Sequence, residues 1–162
     1  MKKISLFLSI LITFHLLIGC SFISGSPANH GKDIANKIQK LYEEKSQYLS
    51  DNSDKLFLWK QEVDSNTKST LCTIDKDEKD NWQYYKDDYE RILFKLKDES
   101  ILKIINMLYK DYEVLKIEIA DNSIQYFISE DSLIYSKKDI SDEAYTEHIK
   151  DNWYHFKFPY GI

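Results

Sequence analysis

Side chains able to do chemistry are few in this chain and lie far apart. Its 162 residues include two cysteines, Cys20 and Cys72, and four histidines. Nucleophilic catalysis needs a thiol or hydroxyl, a base beside it and a group that orients the base. Cys72 sits inside the apolar run "TLCTI", where a thiol usually serves as an inert packing group. A zinc site would draw on Cys72, His148 and His155. The two histidines are seven residues apart across an expected helix-to-strand change, and Glu147-His148 lacks the second His of H-E-x-x-H. His155 is expected to be a partly exposed strand residue. Asp75-Lys76-Asp77-Glu78-Lys79-Asp80 resembles a calcium loop only superficially. With Asp75 at position 1, Lys79 and Asp80 stand where an oxygen ligand and glycine are required. The expected catalytic and metal sets are therefore none, no cofactor is implied, and 75–81 reads as a solvated loop.

Cys20 stands differently. Lys2 and Lys3 precede an uncharged apolar run from Ile4 to Gly19, which is the layout of a signal peptide. The run is short for a membrane span, which needs about 20 apolar residues. The small, polar "CSFISGSPANHGK" follows it. The run ends Leu17-Ile18-Gly19-Cys20, which resembles the lipobox of bacterial lipoproteins. That resemblance implies cleavage before Cys20 and a diacylglyceryl thioether on its sulfur, leaving Cys20 as the first mature residue. Two acyl chains on one residue hold a protein stably at a bilayer, where one holds only marginally.

Loss of Lys2 and Lys3 leaves 20 basic against 27 acidic side chains, a mature net charge of −7. That balance opposes nucleic-acid binding, which rests on neutralised phosphates. It gives no electrostatic help at anionic lipid, so the acyl chains must do the holding. With Cys20 assigned to lipid, Cys72 has no disulfide partner. Stability must come from packing, for which 12 Tyr, 8 Phe and 3 Trp are available.

The elements follow from periodicity. Residues 33–49 place Ile34, Ile38, Leu41, Tyr42, Tyr48 and Leu49 on a helical stripe, ended by "SDNSD". The run "KLFLWKQEV" fits a strand or a short helix, with strand favoured over 56–63. "TLCTI" predicts a strand. Trp82, Tyr85, Tyr89, Ile92, Leu93 and Leu96 step by three and four, which predicts helix. "DES" breaks that run, and Ile101, Ile104, Ile105 and Leu108 resume it. "YEVLKIEIA", "IQYFIS" and "LIYSKK" are separated by short turns and predict an antiparallel meander. "SDEAYTEHIK" reads as a short helix and "NWYHFKF" as the last strand. This C-terminal pattern of helix, hairpin, third strand, helical connection and final "NWYHF" strand is similar to small uncharacterised bacterial lipoproteins. That similarity implies a fold and no activity.

The sequence thus predicts an α+β fold, with amphipathic helices on one face of a small antiparallel sheet and a meander in the C-terminal half. Residues 1–19 are the expected signal peptide, 20–32 the lipidated cysteine and tether, and 33–162 a single domain. The expected protein is non-enzymatic, lipid-anchored and extracytoplasmic, facing the exterior or the periplasm. It is expected to bind a protein or peptide, as an immunity or inhibitory factor against a cationic toxin would. The alternative is a solute- or glycan-binding module using Tyr84, Tyr85, Tyr89, Tyr109, Tyr112, Tyr126, Tyr135, Tyr145, Tyr154 and Tyr160. Against that alternative stands the expectation that most of these tyrosines pave the core edge.

Overall fold

The computed structural model describes residues 27–64, 69–86 and 93–159. The expected signal peptide, Cys20, Tyr89 and Tyr160 lie outside them. From Lys32 onward the described residues belong to one compact unit. Its elements are two helices and eight strands: α1 (Pro27–Asp64), β1 (Leu71–Lys76), β2 (Trp82–Lys86), β3 (Leu93–Lys95), α2 (Glu99–Tyr112), β4 (Lys116–Ala120), β5 (Ser123–Ile128), β6 (Asp131–Ser136), β7 (Thr146–Lys150) and β8 (Trp153–Phe156). The strands form one antiparallel sheet in the order β3-β2-β1-β4-β5-β6-β8-β7. Both helices pack on it, so the α+β class and the C-terminal meander expected from the sequence are present.

α1 begins at Pro27 within the expected tether, and it runs through both the expected break at "SDNSD" and the strand favoured over 56–63. The polar residues there bond within the helix. Ser53 Oγ donates to the Ser50 carbonyl at 2.8 Å, Asn52 Nδ2 to the Tyr48 carbonyl at 2.8 Å, and Gln47 Nε2 to Asp51 Oδ1 at 2.8 Å. Ser53 lies on the same buried stripe as Leu49, Leu56 and Lys60. Burial of that stripe outweighs the turn preference of Ser, Asn and Asp, because propensities are worth only tenths of a kcal/mol per residue.

The helix expected from Trp82 to Leu96 is instead β2 and β3, with 87–92 between them outside the described residues. Trp82, Tyr84 and Lys86 also alternate. Pairing with β1 (Ile74 opposite Tyr84) decides for that period, and aromatic residues favour strands. α2 forms as expected. Asp98 caps it, accepting from the Ser100 and Ile101 amides at 2.8 and 3.1 Å, and Glu113 ends it at φ 58°.

The helix expected over 141–150 is a turn followed by β7. Asp139 Oδ1 accepts from the Ser141 amide and hydroxyl at 2.9 and 2.7 Å, so the anticipated cap is an Asx turn. Thr146, Glu147 and His148 then pair with Phe156, His155 and Tyr154.

The core lies between helices and sheet. It joins Ile34, Ile38, Leu41, Leu49 and Leu56 of α1 and Ile101, Ile104, Ile105 and Leu108 of α2 to Ile74, Ile117, Ile119, Ile124, Tyr126 and Leu133. β1, β2 and β3 step outward as a meander, and α2 then carries the chain back so that β4 pairs on the inner side of β1. That return leaves β3 outermost.

Candidate peptide-docking edge

The candidates named from the sequence are not brought together. Cys72 is fully buried. Burial, with the nearby Asp64 charge adding to it, pushes its thiol up to about 12, so it is protonated and unreactive at neutral pH. His148 is exposed on β7, and its Nε2 lies 2.9 Å from the Asp151 carbonyl. His155, expected as a partly exposed strand residue, is on a strand but buried: its Nε2 lies 3.3 Å from Asp131 Oδ2, while Asp131 Oδ1 accepts from the Phe158 amide at 2.9 Å. The pair ties β8 and the following residues to β6. Burial holds the imidazole below its usual value, against the opposing effect of a hydrogen bond that its ring N–H donates to Asp131. The expected 75–81 loop begins only after Lys76: Asp75 belongs to β1, where its Oδ1 accepts from Gln83 Nε2 at 3.1 Å, and the Asp77 and Asp80 carboxylates serve the turn. Asp77 Oδ1 accepts from the Lys79 and Asn81 amides, and Asp80 pairs with Lys76. Among the described residues no group of His, Cys, Asp or Glu could hold a metal ion. No helix among them is long and apolar enough to cross a membrane.

The tyrosines divide. Tyr112, Tyr126, Tyr135 and Tyr154 are buried, and Tyr84, Tyr85 and Tyr109 are half-buried. Tyr145 is exposed on the turn before β7. A recess of about 220 Å³ opens between α1 and the β7–β8 turn, lined by Tyr42, Ser46, Ser50, Tyr135, Asn152 and Trp153.

A more developed surface lies at β3, where the sequence suggested only helix. Leu93 and Phe94 are 53% and 39% exposed, unusual for large apolar side chains on neighbouring residues. Phe94 stacks on Tyr84, with centroids 5.2 Å apart and planes at 19°, and Tyr84 meets Trp59 of α1 edge-on at 5.1 Å. An aromatic row therefore runs from the helix layer to the sheet margin. Strand alternation puts Phe94 on the helix side, and Leu93 and Lys95 on the other side with Tyr85 and Gln83.

Each side of β3 has a recess. One, of about 480 Å³, is lined by Trp59, Val63, Tyr84, Phe94, Leu96 and Lys97. The other, of about 540 Å³, lies between the 77–79 turn, Gln83 and Leu93. The Leu96 amide donates to the Trp82 carbonyl at 3.1 Å. Antiparallel alternation then turns the backbone N–H and C=O groups of Leu93 and Lys95 away from β2. Among the described residues no strand pairs with that side of β3.

The opposite margin, β7, is guarded. It carries Glu147, His148 and Lys150 and a register irregularity between His148 and Lys150, the usual devices that blunt an edge. β3 is short, which also limits pairing, but it is apolar at its centre. The sequence hint to this surface was the Leu-Phe-Lys-Leu-Lys alternation over 93–97, which the longer helical stepping overrode. No protein-family model, no curated protein and no solved structure matches this chain.

Proposed function

We propose that this chain is a non-enzymatic lipoprotein, held at an extracytoplasmic membrane face through lipid on Cys20, that binds a protein or peptide partner. The observation that carries the binding reading is β3: outward backbone groups between two recesses, with exposed Leu93 and Phe94 at the centre. Strand addition to a sheet edge works this way. Main-chain hydrogen bonds supply affinity, and alternate side chains entering pockets supply selectivity. The anchor reading rests on Leu17-Ile18-Gly19-Cys20 following an uncharged apolar run.

Two experiments test this. Cys20→Ser should move the protein from the membrane fraction to the soluble fraction and abolish labelling by a radioactive fatty acid; unchanged labelling rejects the anchor. Crosslinking in cells, followed by mild detergent extraction, should retain a stoichiometric partner with the natural sequence and lose it with Phe94→Asp. A partner retained by both places binding elsewhere.

A second reading, capture of a small solute or glycan, is favoured by the recess at Trp153. Its Ser46, Ser50 and Asn152 line it beside aromatic rings. A fluorescence change of Trp153 with cell-wall fragments, absent in Trp153→Phe, would support it.

A further inference from the structure

We infer that the recess at Trp153 accepts one neutral pyranose ring, as a free hexose or as the end unit of a glycan. This rests on the small-ligand reading of that recess and adds the chemical class; it is independent of β3. The recess is built from two fixed parts. Tyr42, Ser46 and Ser50 follow one another at helical i, i+4 spacing and form one row along α1. Facing them is the β7–β8 turn. The Ser136 amide donates to the Asn152 carbonyl at 2.9 Å, His148 Nε2 lies 2.9 Å from the Asp151 carbonyl, and Asp151 takes a φ of 50°. Trp153 closes the back, with its ring centroid 6.3 Å from Tyr42 and 5.1 Å from Tyr135. The walls are therefore in place before a ligand arrives.

Size and chemistry select the ligand. The volume of about 220 Å³ is below the ~300–1,000 Å³ of sites that enclose drug-sized molecules, so the recess takes a single ring. Its inner polar groups are neutral. Ser53, Asn152 and Ser50 are hydrogen-bonding neighbours of the Tyr135 hydroxyl, Ser46 lies one turn before Ser50, and Gln47 Nε2 donates to Asp51 Oδ1. Hydroxyls and amides both donate and accept, as the hydroxyls of a sugar ring require. An apolar ligand would leave these groups unpaired. The Tyr42 ring, half-buried, offers an apolar wall to the C–H groups of a pyranose.

A charged ligand finds no buried counter-ion. Among the described residues, the charged side chains that line the recess are Lys150 and Asp151. They are consecutive, exposed and of opposite sign, so they give the recess no net charge. An ionised group seated among the serines would lose water without gaining a partner.

The probes are methyl glycosides of glucose, galactose, mannose and N-acetylglucosamine, with glucuronate and glucosamine as charged counterparts. Each would be titrated against the full chain in a zwitterionic detergent that carries no sugar, followed by amide shifts over 46–50 and 150–153. At least one neutral pyranoside should bind with a Kd of about 1–10 mM, the scale for a ligand of about a dozen heavy atoms. It should bind about fivefold or more tightly than either charged sugar. Ser50→Ala should weaken it about fivefold, as loss of one hydrogen bond would. Ser46→Leu fills the recess from a half-buried helix position and should abolish binding while the other amides keep their native shifts. A tetrasaccharide that binds as well as its monosaccharide assigns the site to a glycan end, and one that is rejected assigns it to a free hexose; the ring class holds in either case. Glucuronate or glucosamine binding as tightly as the neutral sugars would overturn the neutral class and leave the small-ligand reading standing. Unchanged binding in folded Ser46→Leu, or no shift over 46–50 and 150–153 with any probe at about 50 mM, well above the expected Kd, would overturn both.

Discussion

Phe94, on the outermost strand, lies nearly parallel on the ring of Tyr84 one strand inward, at a centroid separation of 5.2 Å. The stack holds one face of Phe94 and leaves 39% of the residue in solvent. An aromatic pair of this kind contributes about 0.5–1.5 kcal/mol beyond area burial. Phe94→Ala should therefore lower stability by about 1–2 kcal/mol, well below the 3–5 kcal/mol of a core Phe→Ala. It should nevertheless remove detectable binding of a β3 ligand. Urea unfolding and titration on the same variant check both parts; a core-sized loss would mean that Phe94 is structural.

Tyr126 is fully buried at the centre of the sheet, and its hydroxyl has no hydrogen-bond partner among the described residues. Burial drives its ionisation far upward, so the phenol stays neutral. An unmatched buried hydroxyl costs about 1–3 kcal/mol. Tyr126→Phe removes that cost with almost no change of shape. It should raise the urea midpoint by an amount equivalent to about 1 kcal/mol, where most core substitutions lower it. A lower midpoint would show that the hydroxyl is satisfied.

The buried His155–Asp131 pair makes stability depend on pH. The folded-state value of His155 lies below its ordinary 6.5 because burial penalises the imidazolium. Between the two values the unfolded chain binds more protons, so stability falls as pH drops through 6.5. The carboxylates held low, such as Asp77, Asp98 and Asp139, lose their contribution only near and below their ordinary 3.8. The interval from pH 7 to 5.5 therefore isolates the histidine. Urea midpoints should fall across it in the natural protein and stay nearly level in His155→Gln.

Cys72 should be silent to thiol reagents. Its thiol is fully buried and pushed up to about 12, so native protein should not react with a disulfide-exchange reagent at pH 8. One equivalent of that thiol should appear in urea. Fast reaction under native conditions would indicate frequent opening between β1 and α1.

Legibility in the sequence followed locality. α2 was readable because Asp98 and four well-spaced apolar residues state its start and face within one segment. The β4–β6 meander was readable because Ile117, Ile119, Ile124 and Tyr126 alternate beside turn residues. The course of α1 through Ser53 was hidden, since only the tertiary stripe marks that serine as interior. β2 was ambiguous because Trp82 and Tyr85 fit helical stepping as well as Trp82 and Tyr84 fit a strand. The role of β3 was beyond reach for a stronger reason. Leu93 and Phe94 are ordinary apolar residues until α2 returns the chain to β1 and leaves them at the margin. His155 likewise became interior only when β7 covered it from a segment expected as helix.

Amide hydrogen exchange on the full chain at dilute, monomeric concentration tests the open edge most directly. Phe94 and Leu96, bonded toward β2, should exchange slowly, and Leu93 and Lys95 should exchange near the rate of unstructured peptide. An extended partner peptide added along β3 should then slow Leu93 and Lys95 at least tenfold (about 1.4 kcal/mol of protection). Slow exchange at Leu93 and Lys95 without peptide would contradict the account, because the β3 edge would already be occupied.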